Sequence, residues 1–451
     1  MDILVMVGQF VMSLSILIVL HEMGHFFTAK WFNTRVEKFY LFFDPWFSLF
    51  KTKKGDTEYG IGWLPLGGYV KIAGMIDESF DTEQMLQEPQ PWEFRSKPAW
   101  QRLIIMVGGV TVNFILGFFI YAIIMWTWGE EYIPTQNLKY GVAPDSLGQL
   151  LGIQRGDNVV AVDTLQLEKV NPGIVRTEII IHDARTIDVM RNGKRLQLPI
   201  SEEVAQALSK YENKNFTLYR PLYPFEVGRF PKKSPAKKAG IQLGDRIIAL
   251  NGTPTPFFED FYNELIAHPQ PETEVAVLVE RPDTVLHTSD TLAIKVVTDK
   301  NGFIGAGPMD LVKFFGSKRV EYTMAAALPA GVRQGWKFLA DQVSAFGQMF
   351  KGKIKASDSL GSFITIGSMF GGTWDWERFW KLTAALSLVL GFINLLPIPA
   401  LDGGHVMFLL FEVFSGKKPG DKFMEYATMA GFVVLIGIMV YALGLDISRL
   451  F

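Results

Sequence analysis

The chain has no cysteine in 451 residues. That excludes a disulfide framework and a thiolate-ligated metal, so any metal must be held by His, Asp or Glu. It does not fix the compartment. The chain also lacks a dominant charge. Lys and Arg total 44 against 46 Asp and Glu, a net of −2, without the basic excess of a nucleic-acid binder, so no nucleic-acid partner is expected. A basic n-region is missing as well: Asp2 precedes the first apolar run, which is too long for a secretory signal peptide. Hydrophobic residues make up 49%, too many for an ordinary soluble enzyme, yet 20% are charged, too many for a chain wholly in lipid. The balance implies membrane spans joined to watery domains, about three domains at ~150 residues each.

The first span occupies 1–29. It is apolar up to Leu20, interrupted by Gly8, Gln9, Ser13 and Ser15, and then reads His21-Glu22-Met23-Gly24-His25. H-E-x-x-H on a helix puts two imidazoles on one face, where they bind zinc, with the glutamate beside the metal as a proton carrier. Roughly 20 apolar residues cross a bilayer, and ionisable groups at that depth mark a functional site by default. The second span, 103–128, carries Gly108, Gly109, Asn113 and Gly117 at small-residue spacing, which lets another helix approach closely. Asn113 reads either as an inter-helix hydrogen-bonding residue or as a neighbour of the site. The third span, 381–411, is broken by Pro397, Pro399, Gly403 and Gly404 around Asp402. Broken helices in lipid are tolerated where they line a cavity. The fourth span is 428–446.

Between the spans the character changes. In 30–102, residues 58–72 read as strands about a turn at Pro65–Gly68, a surface hairpin or one dipping into the membrane with an edge open to a substrate strand. Residues 77–98 read as a loop. Residues 130–308 hold a repeat. Gly152-Ile-Gln-Arg-Gly-Asp-Asn-Val-Val-Ala161 aligns with Gly240-Ile-Gln-Leu-Gly-Asp-Arg-Ile-Ile-Ala249. A short helix, G-x-x-x-G-D and a β-branched strand resemble a PDZ domain, giving PDZ-like modules at 130–222 and 223–308. They either bind peptides or exclude bulky substrates. Residues 309–380 contain an apolar stretch, 324–350, with Arg333, Lys337 and Asp341 at helical spacing. It reads as an amphipathic helix on the membrane surface. A fifth crossing there would put Asp402 at the opposite face from His21. With four spans the two come to the same side, and three ligands, His21, His25 and Asp402, leave one zinc position open for water. Glu22 then moves the proton. Basic residues near the span ends of 30–102 and in 412–427 (Lys417, Lys418, Lys422) make both loops cytoplasmic, with the modules and both termini outside.

H-E-x-x-H in the first span, Leu64-Pro-Leu-Gly-Gly-Tyr-Val70, the two PDZ-like repeats, and Asn394-x-x-Pro397-x-Pro399-x-Leu401-Asp402-Gly403 together resemble the site-2 protease family over nearly the whole chain. The chain departs from the family in its second span, where Gly109-Val-Thr-Val precedes Asn113-Phe114 in place of Gly-Pro. The resemblance implies a multi-pass protein of the bacterial inner membrane: a polytopic α-helical membrane protein with four transmembrane helices, a membrane-associated β-hairpin and two extracytoplasmic PDZ-like α+β domains. It implies a zinc metalloprotease with one Zn2+ ion that cuts in or beside transmembrane segments of single-pass proteins, namely anti-sigma factors after a first cut and remnant signal peptides. His21, His25 and Asp402 would be ligands and Glu22 the acid/base, facing the cytoplasmic side. Asn394 and the hairpin, through Gly67, Gly68 and Tyr69, would hold substrate. The competing readings are a non-catalytic membrane adaptor and a metal-ion transporter; neither requires Glu22.

Overall fold

Long apolar helices organise the chain. A computed structural model describes residues 2–75, 88–268, 271–283 and 288–449. Among them, four helices are long and apolar enough to cross a membrane: Asp2–Trp31, Ala99–Thr127, Trp376–Leu395 and Lys422–Ser448. We label α1 Asp2–Trp31, α2 Ala99–Thr127, α3 Met324–Phe350, α4 Trp376–Leu395, α5 Asp402–Ser415 and α6 Asp421–Ser448. The chain divides into two units, one of Met1–Gly129, Glu321–Gly347 and Ser359–Phe451, the other of Glu130–Val320 and Gln348–Asp358.

In the first unit one face of α1 turns inward and takes Gln9 and Ser13 with it. Gln9, Ser13, Leu17, His21, His25 and Ala29 recur every fourth residue and are buried, while Ile3, Leu4 and Val7 point outward. The outward faces of α2 (Ile115, Phe119) and α6 (Val433, Val440) are likewise apolar and exposed. Apolar faces of this length suit lipid better than water. Inside, hydrogen bonds tie the helices: Ser13 Oγ to Thr383 Oγ1 at 2.9 Å, and Ser387 Oγ to the Asn113 carbonyl at 2.8 Å. Helix α1 crosses α2 at glycines. A Cβ on Gly24 would lie 2.4 Å from the Gly108 carbonyl oxygen, and one on Gly109 would lie 2.3 Å from His25 Nε2. Arg102, in the first turn of α2, pairs with Glu412 on α5.

Helix α3 is amphipathic, and it packs on α2 and α4. A Cβ on Gly331 would lie 2.3 Å from the Ala122 amide nitrogen, and Leu339 joins a core with Ile120, Tyr121, Ile124, Ala384 and Leu388. The expected break in the third hydrophobic stretch is present. Helix α4 stops at Leu395, and α5 begins at Asp402. Ala400 between them has φ +83°, a left-handed conformation uncommon for alanine.

The expected turn at Pro65–Gly68 is not there. Residues 58–72 lie within one strand, β2 (Thr57–Ile72), whose partner is the preceding β1 (Val36–Lys54), with the reversal at Gly55. Gly55 has φ +63°, whereas Gly67 and Gly68 are extended. Their lack of side chains serves close packing: a Cβ on Gly68 would lie 2.6 Å from Ile18 of α1 and 2.7 Å from the Tyr40 carbonyl oxygen. The ribbon folds back on itself. Phe39, Tyr40 and Leu41 pair with Val70, Tyr69 and Gly68, and also with Tyr59, Gly60 and Ile61. Residues 64–72 pair only with β1 residues before Asp44, so among the described residues their other edge carries no strand. Of the loop read at 77–98, residues 76–87 lie outside the described residues; Phe94–Ser96 forms a single 3-10 turn.

The second unit repeats itself. Strand Asn158–Val162 pairs with Thr186–Arg191, which pairs with Lys194–Pro199; Arg246–Leu250 pairs with Glu274–Asp283, which pairs with Thr288–Val297. The aligned aspartates do the same work. Asp157 accepts from the Gln154 amide and from Arg191, and Arg191 also reaches the Gly152 carbonyl. Asp245 accepts from the Gln242 amide and from Arg281, which reaches the Gly240 carbonyl. Each repeat has its own hydrophobic core.

Asp245 is 1% exposed, so removing its partner strands a buried charge. Arg281→Ala should destabilise the second repeat by about 3 kcal/mol, seen as faster proteolysis within 223–308 of the full-length protein. Lys295→Ala, which removes an exposed pair with Glu274, should leave the rate unchanged. At the helix crossing, Gly24→Ala should cost about 1–3 kcal/mol by overpacking. Gly8→Ala, with nothing within 4 Å of its added Cβ, should not lower the thermal midpoint in detergent.

Candidate metal centre

His21 and His25 lie one turn apart on the buried face of α1, their rings edge to face with centroids 4.9 Å apart. Asp402 opens α5, in a first turn that favours a negative charge. The break between α4 and α5 turns its carboxylate toward α1. Three atoms converge. His21 Nε2 and His25 Nε2 are each 3.3 Å from Asp402 Oδ2, and 3.3 Å from one another. Asp402 Oδ2 is buried with no hydrogen bond made to it.

This triangle can be tested against zinc. Tetrahedral ligands at 2.0–2.1 Å from Zn2+ stand about 3.3 Å apart, which is the spacing seen. The donor set of two imidazole nitrogens and one carboxylate oxygen is a common one for catalytic zinc, and it leaves a fourth position to the reactants. The tautomer agrees for His25. Its Nδ1 lies 2.9 Å from the Ile105 carbonyl oxygen, which only accepts, so Nδ1 carries the proton and the Nε2 lone pair is free. His21 Nδ1 lies 3.0 Å from the Asn113 side-chain amide.

Glu22 occupies the turn between the histidines, within electrostatic reach of His21, His25 and Asp402, and the Val70 backbone N–H faces its carboxylate. The unpaired edge of β2 therefore runs beside the glutamate. Gly67 and Gly68 lie on this strand. Tyr69 does too, but its side chain is turned into the ribbon: its hydroxyl donates to Asp44 Oδ1 at 3.0 Å and its ring stacks on Tyr40. Burial and the neighbouring Asp44 carboxylate push the Tyr69 hydroxyl's pKa well above the usual tyrosine value. Asn394, in the last turn of α4, brings Nδ2 to 3.5 Å from His21 Nε2. All eight residues singled out in the sequence thus fall on this centre or on the strand beside it. Sequence reasoning missed the Ile105 carbonyl and the Val70 amide, because backbone groups carry no residue signature. The every-fourth-residue spacing of Gln9, Ser13, Leu17 and His21 could have revealed which face of α1 is inward.

Comparison with known proteins agrees with this chemistry. The model of peptidase family M50 matches residues 9–438. The regulator of sigma-E protease RseP of Salmonella typhimurium is 30% identical over 461 aligned positions, covering 98% of each chain. RseP of Escherichia coli is 29% identical, again over 98% of each chain. A protein of Vibrio cholerae whose name describes a zinc metalloprotease is 28% identical over 98% of each. With a family match across nearly its full length, the chain belongs to peptidase family M50, the site-2 proteases, and is a membrane zinc metalloprotease.

Proposed function

We propose that this enzyme hydrolyses peptide bonds in or beside the transmembrane segments of single-pass membrane proteins, with His21, His25 and Asp402 as ligands of one zinc ion and Glu22 as the general acid/base. The observation that carries this reading is the 3.3 Å triangle of ligand atoms with Glu22 alongside. Zinc, when bound, polarises the scissile carbonyl and lowers the pKa of water toward 7. Glu22 takes the proton of the attacking water and delivers it to the leaving amide nitrogen, so that one carboxyl group serves both half-steps. Asn394 presents its amide at the edge of the reacting position, where it hydrogen-bonds the substrate backbone.

A transmembrane helix keeps its amides in internal hydrogen bonds, so it must be drawn out before it can be cut. The open edge of β2 at Gly67, Gly68 and Tyr69 supplies the alternative partners, by strand addition. The ribbon is membrane-associated on this reading: Trp46, Phe47, Leu49 and Phe50 are exposed at its far end, followed by Lys51, Lys53 and Lys54, a composition suited to the interface of an anionic membrane. The repeats at 130–222 and 223–308 are PDZ-like modules on the extracytoplasmic side that exclude substrates with bulky outer domains. The region 309–380, with amphipathic α3, lies at the membrane surface. Relatives named for regulating sigma-E support a role in sigma-E control; the substrates on this reading are anti-sigma factors already shortened by a first cut, with remnant signal peptides as a second group. The enzyme belongs in the bacterial inner membrane, with both termini outside and the metal centre toward the cytoplasm. A carboxylate beside a three-ligand site has no task in an adaptor or a transporter, and Glu22 therefore favours the protease.

Glu22→Gln should keep its zinc and lose at least about 100-fold in the cleavage rate of a model transmembrane substrate; cutting at the wild-type rate by the purified variant would overturn the mechanism. The orientation has its own test, which the cysteine-free chain makes simple. Single cysteines placed in 225–300 should react with an impermeant maleimide on spheroplasts, and those in 412–427 should react only after lysis. The reverse pattern inverts the topology.

A further inference from the structure

Both histidines turn Nδ1 toward α2, yet the partners differ in kind. His25 faces a backbone carbonyl, Ile105, that no substitution removes, whereas His21 faces a side chain, Asn113, at 3.0 Å. Asn113 is fully buried. It is held from behind: its own carbonyl accepts from Ser387 Oγ at 2.8 Å, and its Cβ packs on Gly391 of α4. The amide turns Nδ2 to His21, while Asn113 Oδ1 is buried without a partner. That arrangement makes His21 Nδ1 an acceptor and puts the ring proton on Nε2, the atom 3.3 Å from both Asp402 Oδ2 and His25 Nε2. A protonated Nε2 cannot ligate a metal. Oxygen and nitrogen of an amide exchange by a half-turn, and that half-turn gives the orphaned Oδ1 a donor and frees the Nε2 lone pair.

Resting on the ligand set proposed above, we infer that Asn113 is a positioning residue for His21. Its side-chain carbonyl accepts a hydrogen bond from the Nδ1–H, fixes the tautomer whose Nε2 is bare, and aims the ring at the metal position. Loss of such an acceptor behind a ligating histidine typically weakens metal binding about 10–100-fold. The role requires an acceptor and not merely a polar or bulky group, and this separates it from helix packing. Leucine fills the same space without accepting. Aspartate accepts and cannot donate.

The test is Zn2+ affinity, measured by chelator competition on the purified full-length protein in detergent, with the absorption spectrum of the Co2+ form as a second readout of ligand geometry. Asn113→Leu should bind Zn2+ about 10–100-fold more weakly and show an altered Co2+ spectrum, with Asn113→Val serving where leucine does not fold. Asn113→Asp should bind at least as tightly as wild type with the wild-type spectrum. A folded leucine or valine variant with wild-type affinity overturns the inference, and so does an aspartate variant as weak as the leucine one. Asp402→Ala, run in parallel, separates the two levels. If it loses Zn2+ while Asn113→Leu does not, only the role of Asn113 falls. If it binds like wild type, the ligand set itself falls and this inference with it.

Discussion

Two imidazole nitrogens and a carboxylate oxygen stand 3.3 Å from one another below an apolar surface, the spacing that a shared cation sets. Two come from one helical turn near the start of the chain and the third from a helix start near its end. Much of the first unit can be understood as what holds that arrangement: the inward stripe of α1, the glycine crossing with α2, and the interruption between α4 and α5. A continuous helix through 396–401 would keep its backbone groups to itself and carry Asp402 past α1. The interruption instead leaves Ala400 in a left-handed conformation and starts a fresh helix at the carboxylate.

The same constraint explains why α2 bears small residues where it does. Close approach at Gly24, Gly108 and Gly109 brings the Ile105 carbonyl within hydrogen-bonding distance of His25. Dispersion and close packing, not hydrophobic collapse, hold helices together in lipid. Without side chains in the gap, α2 is both a packing surface and the wall behind the two imidazoles.

Much of this was legible in the sequence. H-E-x-x-H and the Leu401-Asp402-Gly403 stretch are residue-specific signals, and the requirement that they meet on one side of a membrane with four spans ties them together. The Pro397 and Pro399 break was readable because proline cannot continue a helix. The ribbon was less so. Pro65-Leu66-Gly67-Gly68 has the composition of a turn, yet it lies in an extended strand, because its glycines answer to the crowding of Ile18 and Tyr40, a tertiary fact that composition does not carry. The true reversal at Gly55-Asp56 is a shorter and ordinary turn signal. The strand's second set of partners in β1 has no sequence signature at all, since backbone pairing is indifferent to side chains.

That indifference also bears on how an intramembrane protease accepts varied substrates. Side-chain pockets would demand a consensus, whereas a strand edge asks only for exposed amides and carbonyls. The Val70 N–H faces Glu22 from the same strand whose open edge the substrate would join. On the proposed reading, the element that straightens the substrate also fixes the group that moves the proton. A segment that fails to leave its helix then never reaches the carboxylate. On that reading, selectivity would follow from how readily a transmembrane helix gives up its own hydrogen bonds, a property of backbone stability rather than of any particular residue.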